Sequence, residues 1–351
     1  MAIEPLVDEE LRRYVEYLQR GMHTPGWEAV YDLEAYKEHA RAVPPLSVAD
    51  FGVEAWAKYQ RQILEFQPDT VFDSPITRFG FGPRLVEVLD AATRLGQAPH
   101  RPVILATSTG SSASPFALPS DGHHLLFAGL GTASFCNYWS KAFARIAGYL
   151  VTDFGPQSAT SERLHETFAH HPEAVILPAK LCAYHAALQT LLGFGVVSDH
   201  PGNPAYRIEL VVAMELFILG HEIGHFFLEE KLTSGSEQRA GPQAEMACDQ
   251  YGLLVSRTAS SGLENWAAFT GCGAYLFLRA IEMSAMFEDK AGEDSGSHPQ
   301  VEARAAGVIK YVLDNTAQDQ LPAVEAYLSE YKLICDELQA FLVSTVPLFR
   351  H

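Results

Sequence analysis

The spacing of apolar positions divides the chain into a helical first part, a short stretch of strand-like texture and a long helical remainder. Behind Asp8, a residue type that caps helix starts, Leu11, Val15 and Leu18 recur at helical spacing through Arg20. Comparable patterns predict helices near Trp27–Ala42, stopping before Pro44-Pro45, and over Ser47–Phe66 and Arg84–Leu95. At Arg101 the texture changes. Val103–Ala106 and His124–Ala128 are short apolar runs. Turn residues at Thr109–Ser114 and Ser120–Gly122 part them from each other and from Pro115–Leu118, the pattern of a small sheet. Helical periodicity returns at Thr132–Leu150, Ser161–His170 and Ala179–Leu192. A long helix follows at Ile208–Glu230, then a Gly/Ser-rich loop, Thr233–Pro242. Helices at Ala244–Ser256, Glu264–Phe287, Gln300–Asp314 and Ala323–Val346 complete the chain. The expected fold class is α+β and mostly helical, with residues 1–98 as an N-terminal helical region and 99–351 as the main domain.

One predicted helix carries the chemistry. His221-Glu222-Ile223-Gly224-His225 reads H-E-x-x-H inside Ile208–Glu230. Histidines four apart stand one above the other on a helical face, so both imidazoles reach one metal ion. Glu222, about 100° round the helix from His221, leans toward the same ion without binding it. A general base stands there to take a proton from a metal-bound water. Catalytic zinc takes three protein ligands and keeps one position open. The extended pattern with a glycine and a third histidine fails, because Leu228 and Lys231 occupy those places. The next donors are Glu245 and Asp249, four apart on the following helix. If the two helices pack antiparallel, Glu245 completes the zinc shell and Asp249 accepts the outer N–H of a ligand histidine. The same carboxylates also suit an ordinary solvated face.

Composition narrows the class. The 351 residues are 48% hydrophobic, enough for a sizeable core. A net charge of −18 without a basic run disfavours nucleic acid and anionic membrane surfaces as partners. The cysteines (136, 182, 248, 272, 335) are scattered and never C-x-x-C, which fits a reducing compartment rather than a disulfide framework. The first residues lack the basic and apolar regions of an export signal. The most apolar runs are interrupted by Glu215, Glu222 and His225 and by Arg279 and Glu282, so core helices and a cytoplasmic location are expected.

Taken together, these motifs resemble the gluzincin metallopeptidases, in which H-E-x-x-H is followed by a glutamate ligand in an E-x-x-x-D setting. Phe116-Ala117-Leu118-Pro119 and the run through Leu130 are similar to the F-A-L-P-G-G strand segment of the heat-shock membrane peptidases and their CAAX prenyl-peptidase relatives. Ser297-His298-Pro299, with Arg304 six residues after the histidine, is similar to that family's H-P-x-x-x-x-R. The resemblance implies a zincin-like core and a Zn2+ endopeptidase acting on a protein or peptide. His221, His225 and Glu245 are then the zinc ligands, Asp249 their support and Glu222 the catalytic base. His298 or Arg304 is the oxyanion donor. The substrate is expected to extend along an edge strand, His124, Leu125, Leu126, Phe127 and Ala128. Three features depart from the family: a helical insertion over 131–208, a short interval from His225 to Glu245, and the absence of membrane helices.

The remaining conspicuous residues read as structural. His123 and His124 are expected as a surface pair near a turn, and His170-His171 as a helix end. Gly220 and Gly224 are expected to admit a close neighbour, and Cys248 to lie in the core. The alternative to an enzyme is a catalytically silent regulatory or scaffolding protein on the same core.

Overall fold

The computed structural model describes residues 6–22, 33–42, 52–110, 112–120, 122–155, 159–191, 193–195, 197–198, 204–231, 241–260, 265–286 and 301–349. It is 75% helical with one small mixed sheet, the α+β, mostly helical class that the hydrophobic pattern predicts. The N-terminal helices are α1 (Glu9–Met22), α2 (Leu33–Ala42) and α3 (Gly52–Glu65), and a π-helical turn at Thr77–Phe81 leads into α4 (Gly82–Arg94). Pro83 stands in the first turn of α4, where its missing N–H costs nothing.

Three strands follow: β1 (Val103–Ser108), β2 (Phe116–Pro119) and β3 (His124–Gly129), in the spatial order β1-β3-β2. β3 pairs in parallel with β1, His124 opposite Val103, and antiparallel with β2, Leu126 opposite Ala117. The expectation that His124–Ala128 forms the edge strand is therefore overturned. Both edges of β3 are occupied and both of its faces are buried, the place where a continuous apolar run belongs. β2, with Phe116 36% exposed and Pro119 unable to donate a ladder hydrogen bond, takes the edge. His124 is likewise no surface residue. Its ring is fully buried, stacks on Phe226 at 4.3 Å and bonds Glu230 at 2.8 Å.

The remaining helices are α5 (Leu130–Phe154), α6 (Ser161–His170), α7 (Glu173–Leu188), α8 (Pro204–Lys231), α9 (Pro242–Ser260), α10 (Trp266–Phe269), α11 (Cys272–Ala285), α12 (Val301–Asp314) and α13 (Leu321–Phe349). α7 begins before Pro178 and runs through it, so the proline does not mark the helix start expected at Ala179. The helix expected over Glu264–Phe287 is broken. Gly271 takes φ +71, a conformation open chiefly to glycine, and turns the short α10 into α11.

One core runs from Phe81 to Leu342, so α4 shares it with the elements after residue 98. A smaller core lies on the other side of the sheet, where Val15 of α1 meets Ile104, Leu125 and Phe127. By length and composition α8 is apolar enough to cross a membrane, yet 78% of its most apolar window is buried inside the protein. It is the central element against which α4, α5, α9, α11 and β2 pack.

Candidate metal centre and cleft

Glycine decides how closely α8 and α9 approach. A Cβ added at Gly252 would lie 2.8 Å from the His221 backbone nitrogen, and one at Gly220 would lie 3.0 Å from the Gly252 Cα. One turn on, a Cβ at Gly224 would meet the Cys248 Cα at 3.2 Å. Only hydrogen side chains leave room for this crossing. Cys248 sits in the seam, buried, and its thiol is pushed well above the ordinary range by burial and by the nearby carboxylates. The contact brings Glu245 and Asp249 of α9 alongside His221 and His225 of α8.

The three expected ligands converge. The Nε2 atoms of His221 and His225 are 3.3 Å apart, and Glu245 places one oxygen 3.4 Å from the first and the other 3.6 Å from the second. Donors on a tetrahedral zinc, at bonds of about 2.0–2.1 Å, stand about 3.3–3.4 Å from one another. The His221–His225 separation matches that spacing, and each Glu245 oxygen stands close to it from one imidazole. Among the described residues this trio is the one group of three or more His, Cys, Asp or Glu side chains close enough to hold a metal.

Support for the trio comes from behind. Asp249 Oδ1 lies 2.9 Å from His221 Nδ1, so Nδ1–H donates to it and Nε2 is the atom turned toward Glu245 and His225. Arg304, from α12, grips the same carboxylate with two nitrogens, each at 2.7 Å. Its remaining terminal nitrogen is 3.8 Å from Glu245. Arg304 does line the cleft, but two of its nitrogens hold Asp249 rather than face a substrate oxygen. His298, the other expected oxyanion donor, lies outside the described residues.

The chain matches no protein-family model, no curated protein and no solved structure.

The carboxylates around the pair of imidazoles set its electrostatics. Burial opposes a charge on His221, but hydrogen bonds to Asp249 and Glu245 and the charge of Glu222 outweigh it, raising its pKa to about 9. Burial and the neighbouring His221 charge lower His225 to about 4. Glu245 falls to about 2: burial pushes its carboxyl up, and His221, His225 and Arg304 more than offset this. The same carboxylates that favour a proton on the pair of imidazoles favour a metal cation there. Glu222 is raised to about 7, chiefly by burial, and accepts a hydrogen bond from the backbone N–H of Ala117. That contact ties the helix of the trio to the edge strand β2.

A cavity of about 410 Å³ opens over these groups. Its lip is Ser114–Ala117 with Pro119, and its floor is His221, Glu222, His225, Glu245 and Arg304. One wall is apolar: Phe217 and Ile218 from α8 face Phe277 and Ile281 from α11. Sequence reasoning missed this wall. Its signals were ordinary, an apolar pair one turn before His221 and a second pair four apart, and core residues carry the same pattern. None of the described residues of 131–208 lines the cavity; among them α5 packs against α8. Glu230 was also missed. It accepts from the backbone N–H groups of His100 and Arg101 at 2.6 and 2.9 Å and from His124, pinning the end of α8 to the sheet.

Proposed function

We propose that this protein is a zinc-dependent endopeptidase. The observation that carries the reading is the convergence of His221 Nε2, His225 Nε2 and a Glu245 oxygen beside Glu222, in a cleft bordered by an edge strand. His221, His225 and Glu245 would hold the ion. Zinc bound there supplies Lewis acidity, polarising a carbonyl and lowering the pKa of water toward about 7. Glu222 takes the proton of the attacking water on its carboxylate and delivers it to the leaving amide nitrogen. Asp249 keeps the proton of His221 on Nδ1 and so keeps Nε2 a ligand. A peptide in extended form adds to the outer edge of β2 through backbone hydrogen bonds. A bulky apolar side chain beside the scissile bond enters the space between Phe217, Ile218, Phe277 and Ile281. The similarity of these motifs to those of the gluzincins agrees with this reading.

The test is the metal content of purified protein together with cleavage of a broad peptide library. About one zinc per chain is expected, retained in Glu222→Gln while cleavage is abolished. Full activity in Glu222→Gln would sink the mechanism. Zinc without cleavage of any peptide would favour a silent scaffolding protein instead.

A further inference from the structure

A second cavity, about 240 Å³, lies between α5, the start of α8 and α13. Along α8, Tyr206 is fifteen residues before His221, or about 22 Å at the helical rise, so this cavity is separate from the cleft. Three phenol rings line it. Tyr327 and Tyr331 of α13 stand 5.2 Å apart centre to centre, Tyr206 of α8 lies 6.3 Å from Tyr331, and the Tyr206 and Tyr327 hydroxyls are hydrogen-bonded at 2.9 Å. Trp266 packs edge-on against Tyr327, bracing it from outside. The opposite wall is made of small and apolar groups of α5: Ala147, Gly148 and Val151.

Glu330 also lines this cavity, one residue before Tyr331. Its carboxyl is held above the usual range by burial alone. Among the described residues, no Lys, Arg or His forms an ion pair with it, and no donor hydrogen-bonds to it. Glu330 is half-buried, so water still reaches it, but no partner offsets the hydration it does lose. The ligand that restores the balance is a cation. A bare metal ion or a primary ammonium would surrender strong hydration to phenol rings and methyl groups, a poor exchange. An alkylated ammonium carries the same charge on a weakly hydrated, apolar skin, and aromatic rings attract it through their quadrupoles. The cavity is smaller than the range for drug-sized ligands, which suits a head group rather than a whole molecule.

We propose that Tyr206, Tyr327, Tyr331 and Glu330 form a binding site for a quaternary or methylated ammonium group. Two sources share this chemistry: a free choline-like solute and a methylated lysine of another protein.

The experiment titrates full-length protein at constant ionic strength. The probes are choline, its neutral isostere 3,3-dimethylbutanol, and a short peptide carrying either trimethyllysine or lysine. Binding is read from ring-current shifts of the probe methyl protons. Saturable binding of a trimethylammonium probe, at least tenfold tighter than its uncharged or unmethylated counterpart, is expected. Glu330→Gln and Tyr327→Leu should each weaken it at least fivefold, with circular dichroism and Tm verifying that both variants fold. Tighter binding of the trimethyllysine peptide than of choline assigns the ligand to a protein side chain, and the reverse assigns it to a solute. Equal binding of choline and its isostere, no saturable binding, or indifference to both substitutions in folded protein would overturn the proposal.

Discussion

Asp249 joins His221 to Arg304: one carboxylate accepts His221 Nδ1–H at 2.9 Å and two guanidinium nitrogens at 2.7 Å each. The arginine would thus act on the proposed metal site at one remove. Asp249→Ala should weaken zinc binding by about 10–100-fold, the loss typical of such supporting carboxylates. Arg304→Ala should shift zinc affinity in the same direction, and Arg304→Lys should rescue it poorly, because a point charge cannot reproduce the fork. Competition with a chromogenic chelator measures both. An oxyanion donor would behave otherwise, losing about 10²–10³-fold in kcat with zinc affinity unchanged.

The helix crossing makes a sharp stability contrast. Gly252→Ala forces a methyl against the His221 and Phe217 backbones, so it should destabilise by about 1–3 kcal/mol and loosen the metal trio. Gly307, inside α12 with nothing within 4 Å of its Cβ position, is the control. There Gly307→Ala should stabilise by about 0.5–1 kcal/mol. Chemical denaturation of the two variants checks the pair, and equal effects would show that the seam is not close-packed.

Glu215 sets a pH dependence away from the metal site. Burial raises its pKa to about 7, with Arg84 and Arg207 pulling it down and Glu87 pushing it up. Arg84 is 4.0 Å away, and 16% of the Glu215 side chain remains exposed. The folded protein then holds a proton that the unfolded chain releases near pH 4.5. Stability from this group is therefore intact below about pH 4.5 and is lost as pH rises toward about 7. Glu215→Gln should match the parent near pH 4.5 and be more stable at pH 8, by about 1–3 kcal/mol after allowing for the exposed part. Denaturation at both pH values reads the difference directly.

Substrate preference should follow the apolar wall. Peptides with a bulky aliphatic or aromatic residue beside the scissile bond should be cut faster than those with Asp or Ser there. Ile281→Asp should reduce kcat/KM for apolar substrates by at least the roughly 10–200-fold that a single lost methylene costs in an apolar pocket, because it also sets a carboxylate there. Zinc content should not change. A preference that survives Ile281→Asp would place the selected side chain elsewhere.

Local periodicity was enough to read the helical class, the existence of a small sheet and the pairing of His221 with His225 on one face, because each depends on residues a few positions apart. The E-x-x-x-D carboxylates could be read as ligand and support only on the condition that α8 and α9 pack together, and Gly252, unnoticed in sequence, meets that condition by admitting the close approach. Strand order lay beyond local reading. β2 and β3 both carry apolar residues, and only pairing with β1 on the far side puts His124–Ala128 at the centre and Phe116–Pro119 at the edge. The same holds for Arg304, whose partner is 55 residues away, and for the wall that Phe277 and Ile281 complete opposite Phe217. Such contacts are set by how buried faces fit against one another, and no window of sequence short enough to show a period contains both sides of the fit.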